Sequence, residues 1–243
     1  MTQMLASVVD SLEVETILHT GVDIIDLKDP HSGALGALPT ERIQSLVKQI
    51  AQRHPVSATV GDLPPNPTLL AEAIQRTATS GVNYVKVGFF SNLNLHNCIQ
   101  AIAAITANHP VIAVLFADRN PALDMLPDFA TAGFRGIMLD TAEKRQGHLL
   151  QHIGLDRLDQ FVATSRRLGL LSGLAGSLRL QDIPHLLPLA PDYLGFRGAL
   201  CEQNSRVAKI SLHQVVEIRH AITPGVDLSR PGREHQPIWG SPD

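Results

Sequence analysis

Short apolar runs alternate along the chain with longer stretches in which apolar and polar residues are mixed. Eight runs occur, at residues 4–8, 23–28, 55–62, 84–88, 111–117, 136–141, 170–176 and 193–198. The intervening stretches, ERIQSLVKQIAQR for example, space their apolar residues as a helix does and often end in glycine. Successive runs begin roughly 20 to 35 residues apart, the length of one βα unit. This pattern predicts an α/β protein with a single (β/α)8 TIM barrel.

An open doubly wound sheet would also alternate strands with helices. Its first turn usually carries GxGxxG when it binds a dinucleotide, and the corresponding segment here, SVVDSLE, lacks that motif. With 243 residues, 44% of them hydrophobic, the chain is large enough for one barrel core. We therefore predict a barrel over residues 1–222. Residues 223–243, rich in Pro, Gly and charge, are predicted to form a flexible C-terminal tail.

Charge and composition narrow the choice of partner. A net charge of -3 and a pI near 6.4 provide no basic footprint for nucleic acid, and no apolar run approaches the length of about 18 residues that spans a membrane. Cys98 and Cys201 form no disulfide framework, and the N-terminus lacks the basic segment of a secretory signal. We expect a cytoplasmic protein with a small-molecule partner. The sequence is compatible with a homo-oligomer.

Three of the five lysines lie at or just past the ends of predicted strands. Lys28 ends the second run, Lys86 lies within the fourth, and Lys144 follows the sixth run. Arginine is about three times as frequent as lysine in this chain, so a lysine beside a buried strand needs a separate reason. A buried amine can lose its proton near neutral pH and attack a carbonyl, whereas a guanidinium stays charged. The placement therefore predicts carbonyl chemistry.

Side-chain alternation directs these residues to one end of the barrel. Asp26 and Lys28 share a face of the second strand, and Lys86 lies opposite the valines of the fourth. Asp140 likewise faces inward at the end of the sixth strand, four residues before Lys144. For any one lysine, an ion pair with Asp26 or Asp140 is an equally good interpretation. A group of ammonium ions lowers the pKa of each, which favours a neutral nucleophile, and Asp140 can then relay protons.

Two glycine-containing turns follow the seventh and eighth strands, AGSL at residues 175–178 and RGAL at residues 197–200. In many barrels these loops bind phosphate through backbone N–H groups, although such glycines can also serve as sharp bends. Gly176, Ser177 and Gly198 are therefore candidate phosphate-binding residues, with Asp26 as a further substrate-binding candidate. Arg197 or Arg206 could add a guanidinium fork to the phosphate.

Two further sequence patterns are typical of other active sites. His148 and His152 have the i, i+4 spacing of metal ligands, yet no glutamate of the zinc-protease type lies between them and no third ligand is evident. We interpret them as residues of a helix surface and predict neither a metal nor a cofactor. Asp26-Leu-Lys28 is similar to the Asp-x-Lys-x-x-Asp strand of orotidine phosphate decarboxylases, but His31 replaces the second aspartate.

Several segments together resemble one family over roughly residues 4 to 221. They are DIIDLKDPHSGALGA, SATVGD, YVKVG, MLDTAEK, LAGSL and GFRGALC, in this order along the chain. The family is the (5-formylfuran-3-yl)methyl phosphate synthases, also called 4-(hydroxymethyl)-2-furancarboxaldehyde-phosphate synthases. Its members are barrel enzymes similar to class I aldolases. They need no metal and are carbon–oxygen lyases acting on phosphates.

The resemblance implies a reaction and roles for four residues. Two molecules of glyceraldehyde 3-phosphate would be joined into a furan aldehyde phosphate with loss of phosphate and water, supplying the furan of a methanofuran-type one-carbon carrier. Lys28 would form the Schiff base, Lys86 would accept a proton, and Asp140 and Lys144 would support catalysis. Two alternatives stay open: a simpler class I aldolase of phosphorylated sugars, and a non-enzymatic barrel that binds phosphorylated metabolites.

Overall fold

The computed structural model describes residues 1–223, in which eight parallel strands close into a barrel. The strands are β1 (Gln3–Val8), β2 (Ile24–Leu27), β3 (Val56–Thr59), β4 (Tyr84–Phe89), β5 (Val111–Phe116), β6 (Gly136–Asp140), β7 (Leu171–Leu174) and β8 (Tyr193–Phe196). Each strand pairs with the next along the chain, and β8 pairs with β1. The predicted (β/α)8 barrel is confirmed, because each predicted run contains one strand.

Helices surround the strands. They are α1 (Ser11–Ile17), α2 (Thr40–Ile50), α3 (Pro67–Ala78), α4 (Leu95–Thr106), α5 (Leu126–Thr131), α6 (Leu149–His152), α7 (Leu155–Arg167), α8 (Ile183–Leu186) and α9 (Leu212–Ile222). Local sequence sets their ends. Before α3, for instance, the Asn66 side chain accepts the N–H groups of Thr68 and Leu69, and Pro67 occupies a position that needs no N–H. Within residues 1–223 no helix combines the length and apolar character required to cross a membrane.

Two apolar layers hold the barrel together. The inner layer fills the space enclosed by the strands and includes Leu5, Ile24, Tyr84, Ile112, Val114, Met138 and Tyr193. The outer layer lies between strands and helices and includes Ile25, Leu27, Val85, Val87, Ile137 and Leu139 with Ile43, Leu46 and Ile50 of α2. Each fully buried aliphatic side chain contributes about 1.5–3 kcal/mol. Alternate strand residues fall in different layers, so the predicted facing of the strands is confirmed.

Polar contacts join α9 to the end of the barrel at which the strands begin. Asp23 accepts the N–H of Met4 at 2.7 Å and forms an ion pair with Arg219 of α9. Thr223, the first residue of the predicted tail, is buried, and its hydroxyl donates to the Arg219 carbonyl at 3.0 Å. The rest of the predicted tail, residues 224–243, lies outside the described residues. The carboxyl ends of the strands take no part in these contacts.

Candidate active site

The carboxyl ends of the strands surround a cavity of about 150 Å³. Lys28 directly follows β2, Lys86 lies within β4, and Asp140 is the last residue of β6, so the barrel presents all three to the same space. Lys144 reaches this cavity from the loop after β6. Asp26 is fully buried beside it. The structure thus brings together the four residues predicted as catalytic.

Asp26 is the centre of a buried hydrogen-bond network. Its carboxylate accepts from Ser7 Oγ at 2.9 Å, Ser57 Oγ at 2.6 Å and Lys86 Nζ at 3.1 Å. Burial by itself would raise the pKa of Asp26, but the ammonium groups of Lys86 and Lys28 and the two hydroxyl donors hold that pKa below its usual value. Asp26 is therefore a carboxylate, and it compensates the buried charge of Lys86.

Asp140 forms a second acid–lysine pair on the other side of the cavity. Its Oδ1 accepts from Lys144 Nζ at 2.5 Å and from the Thr141 backbone N–H at 2.7 Å. Burial opposes ionisation, yet the ammonium groups of Lys144 and Lys28 outweigh it and lower the pKa of Asp140 to about 2. Burial also lowers the pKa of Lys144, and Asp140 limits that shift. A proton can pass within this pair.

Lys28 differs from both of these lysines, because among residues 1–223 its ammonium has no hydrogen-bond or ion-pair partner. Its side chain is buried, and the residue is only 7% exposed. Burial lowers the pKa of Lys28 to about 7; the carboxylates of Asp140 and Asp26 oppose this shift, while the ammonium ions of Lys144 and Lys86 add to it. Near pH 7 part of the amine is therefore neutral. Its position and its lowered pKa are compatible with the predicted role as nucleophile, which stays a prediction.

Two turns beyond β7 and β8 line the cavity. Gly176 has φ +109°, and a Cβ there would lie 2.9 Å from the Thr141 side chain, so only glycine fits. Within the described part of the chain, the N–H groups of Ser177, Gly198 and Ala199 donate to no acceptor. Neighbouring N–H groups at such turns form concavities that bind anions. The geometry is compatible with the predicted phosphate-binding roles, which stay predictions.

Arg197 lines the cavity, but its guanidinium is directed into the protein. Its Nη1 and Nη2 donate to Glu13 at 2.5 and 2.9 Å, and its remaining donors bind the carbonyls of Ser7, Arg206 and Ala208 at 3.2, 2.7 and 3.3 Å. All five N–H donors of a guanidinium are thereby used. These contacts do not support the predicted phosphate fork at Arg197. Arg206, the other arginine considered, keeps donors available.

Sequence reasoning missed the residues that support the site. Ser7 interrupts an apolar run on the inward face of β1, and Ser57 does the same in β3. A polar residue on the inner face of a mostly apolar strand was the available signal. Asp62, in the loop after β3, also supports the site and was missed. It accepts the N–H groups of Ala34 and Leu35 at 2.8 and 2.7 Å and so fixes the loop after Lys28.

His148 and His152 do not share a helix surface as predicted. His148 precedes the four-residue helix α6, and its Nδ1 lies 3.5 Å from Asp182 Oδ2, while His152 ends that helix. Both rings are partly buried. Among residues 1–223, no group of three or more metal-ligating side chains is found.

The fold and the cavity define a (β/α)8 barrel with a lysine-centred site at the carboxyl ends of its strands. Solved structures share this fold. The 3-hexulose-6-phosphate synthase of Salmonella typhimurium superposes with a TM-score of 0.61 over 91% of this chain and 100% of that chain, at 14% identity. Phosphoribosylanthranilate isomerase of Thermotoga maritima gives 0.64 over 92% and 100%, at 10% identity. At such identities the likeness shows the fold alone.

Sequence comparison identifies the family. The family model described as 4-HFC-P synthase matches residues 4–219, and the chain belongs to this family. A (5-formylfuran-3-yl)methyl phosphate synthase of Methanococcus maripaludis is 34% identical over 84% of this chain and 92% of its own length. A Methylorubrum extorquens protein to which the same name is given provisionally is 40% identical over 92% of both chains. The family resemblance inferred from the motifs is confirmed.

Proposed function

We propose that this protein is a (5-formylfuran-3-yl)methyl phosphate synthase that joins two molecules of glyceraldehyde 3-phosphate through a Schiff base on Lys28. One observation carries this proposal. Lys28 is a buried amine without a partner among the described residues, placed between two acid–lysine pairs, and burial lowers its pKa to about 7. An amine in this state attacks an aldehyde without a separate base to activate it.

The first half of the reaction forms an enamine. The Lys28 amine attacks the aldehyde carbon of one triose phosphate, and loss of water gives a protonated imine. This iminium withdraws electrons from the neighbouring C–H bond, and Lys86 accepts the proton as the enamine forms. Lys86 requires its neutral form for this step, so its proton must first leave. Asp26, which binds Lys86 at 3.1 Å, keeps the Lys86 amine in place before and after proton transfer.

The second half builds the ring. The enamine carbon attacks the aldehyde of the second triose phosphate and forms the new carbon–carbon bond. Elimination of one phosphate, ring closure through a hydroxyl oxygen and hydrolysis that releases Lys28, with a net loss of two water molecules, give the furan aldehyde phosphate. Asp140 and Lys144, in contact at 2.5 Å, donate and accept the protons that these eliminations require. The product would serve as the furan precursor of a methanofuran-type one-carbon carrier.

Phosphate groups are held at the mouth by the turns after β7 and β8. Ser177, Gly198 and Ala199, whose N–H groups have no acceptor among the described residues, line the same cavity as Lys28. A phosphate bound there would place its aldehyde toward the barrel interior. Binding energy from the phosphate, which takes no part in imine formation, can in this way orient the reacting carbon.

Product analysis tests the proposal. The purified protein is incubated with glyceraldehyde 3-phosphate and the appearance of a furan chromophore is followed, with Lys28→Arg as the matched control. We expect the chromophore with the wild-type protein only. An open-chain product would instead indicate a simpler class I aldolase of phosphorylated sugars. If borohydride traps no adduct at all, the protein is a barrel that binds phosphorylated metabolites without imine chemistry.

A further inference from the structure

Arg206 lies in the loop after β8 and lines the cavity that contains Lys28. It is partly buried, and its Nη2 donates to the Gly33 carbonyl at 2.8 Å. Gly33 belongs to the loop that follows Lys28, so Arg206 reaches across the mouth of the barrel. In residues 1–223 no carboxylate lies within ion-pair distance of this guanidinium. Its other donors are therefore available to a ligand.

Arg206 lines a cavity that has more cationic than anionic side chains. Burial lowers the pKa of Arg206; the carboxylates of Asp140, Asp62 and Asp29 oppose this shift, and the charge of Arg197 adds to it. Arg206 in turn helps to lower the pKa of Lys144. At the cavity the cations outnumber the two carboxylates, and both carboxylates are already paired with lysines. A partly buried guanidinium without a counter-ion is unfavourable, and a bound anion would remove that cost.

Arg197 holds the backbone of the loop that carries Arg206. Arg197 Nε donates to the Arg206 carbonyl at 2.7 Å, while the same guanidinium is held by Glu13 of α1. Arg197 Nη2 also binds the Ala208 carbonyl at 3.3 Å. The backbone at Arg206 and just after it is thus attached to a buried ion pair. A cation held in place before the ligand arrives binds with less loss of conformational entropy.

We propose that Arg206 binds the phosphate monoester of the aldehyde that reacts with Lys28 and selects phosphorylated over unphosphorylated aldehydes. Guanidinium matches phosphate oxygens with two parallel N–H donors. The unused N–H groups of Ser177 and Gly198, in turns that line the same cavity, would add further donors to the anion site. The identity of the aldehyde rests on the proposed function, whereas anion binding by Arg206 does not.

Binding of inorganic phosphate tests the anion site without any chemistry. Calorimetric titration is performed with the wild-type protein, Arg206→Gln, Arg206→Lys and the control Arg76→Gln, which removes the same charge from the exposed surface of α3. Loss of a charge-assisted hydrogen-bond pair should weaken binding by Arg206→Gln about ten- to a hundred-fold. Arg206→Lys should be intermediate, and Arg76→Gln should equal the wild type.

Borohydride trapping with two aldehydes tests the selection. The ratio of adduct formed from glyceraldehyde 3-phosphate to adduct formed from glyceraldehyde is measured at equal concentrations. Arg206→Gln should lower this ratio about tenfold or more, because only the phosphorylated aldehyde loses a contact with the guanidinium. A folded Arg206→Gln protein with wild-type phosphate affinity and an unchanged ratio would overturn the inference. If the wild type traps neither aldehyde, the Schiff-base proposal fails, and phosphate titration alone then decides the role of Arg206.

Discussion

The two acid–lysine pairs of the cavity have similar chemistry but different supports. Asp26 and Lys86 both lie on strands, and the pair is almost completely buried, with side chains at most 3% exposed. Asp140 also lies on a strand, but Lys144 comes from the loop that follows, and its side chain is 14% exposed. The first pair is therefore fixed by the barrel. The second depends also on the loop after β6, and its lysine is the more exposed.

This difference suggests a division of labour around Lys28. A base that removes one proton from a defined carbon needs a fixed position, which strands supply. Groups that exchange protons with several leaving oxygens need access to water, and the Lys144 side chain is more exposed than that of Lys86. Four predictions test this comparison, beginning with the residue that belongs to neither pair.

The largest effect is expected for Lys28. Lys28→Arg keeps the positive charge but removes the nucleophile, because a guanidinium does not deprotonate at neutral pH. The variant should form no borohydride adduct with glyceraldehyde 3-phosphate and no furan product. Mass spectrometry of the peptide that contains Lys28 is the measurement. An adduct that persists at another lysine in the variant would show that one of the paired lysines, and not Lys28, forms the Schiff base.

Lys86→Ala should separate imine formation from enamine formation. A positioned base typically contributes about 10²- to 10⁴-fold in rate, so turnover should fall by a factor in this range while the Lys28 adduct still forms. Since the ammonium of Lys86 helps to lower the pKa of Lys28, trapping by the variant should require a higher pH. Circular dichroism checks the fold. Near wild-type turnover, or no trapping at any pH, would contradict the assigned role.

The pH dependence of trapping reports on Lys28 directly. Its pKa in the folded protein is about 7, below its ordinary value of 10.5, so the reactive neutral amine increases as pH rises through 7. The initial rate of adduct formation should therefore increase about tenfold between pH 6 and pH 8. Asp140, with a pKa of about 2, stays ionised across this range and should contribute no step of its own. A rate that is flat over these two pH units would exclude a titrating Lys28.

The smallest effect is expected from metal removal. The protonated imine supplies the electron sink, so treatment with a chelator should leave turnover unchanged. The measurement is the rate of furan formation before and after dialysis against the chelator. A large loss of turnover that zinc or magnesium restores would show that the acid–lysine pairs do not suffice for catalysis. His148 and His152 would then be the first candidate metal ligands.

Strand residues were predictable from the sequence and loop contacts were not. Alternation along β2, β4 and β6 placed Lys28, Lys86 and Asp140 in one cavity, because side chains on a strand can only point to one of two faces. Arg197 follows the last strand, where alternation no longer applies. Its guanidinium pairs with Glu13, 184 positions earlier in the chain, and no local pattern indicates so distant a partner.

Serine contacts form an intermediate case. Ser7 and Ser57 obey the alternation and face inward, yet the sequence does not reveal that both hydroxyls bind the same carboxylate. That fact depends on the register between neighbouring strands, in which Ser7 is opposite Asp26 and Asp26 is opposite Ser57. The types of residue in the site were therefore predictable, and their pairing required the closed barrel.

The pairing of the first strand with the last also constrains how the molecule is made. Gln3 of β1 is opposite Tyr193 of β8, so β1 keeps an open edge until about 190 further residues have been synthesised. At roughly 5 to 20 residues per second this takes about 10 to 40 s on the ribosome. For most of this time the nascent chain already contains Lys28, but it lacks the strand that completes the barrel around it. An exposed strand edge can pair with the wrong strand. The period in which the protein is most prone to aggregate therefore ends only when the last strand, about four fifths of the way along the chain, has been synthesised.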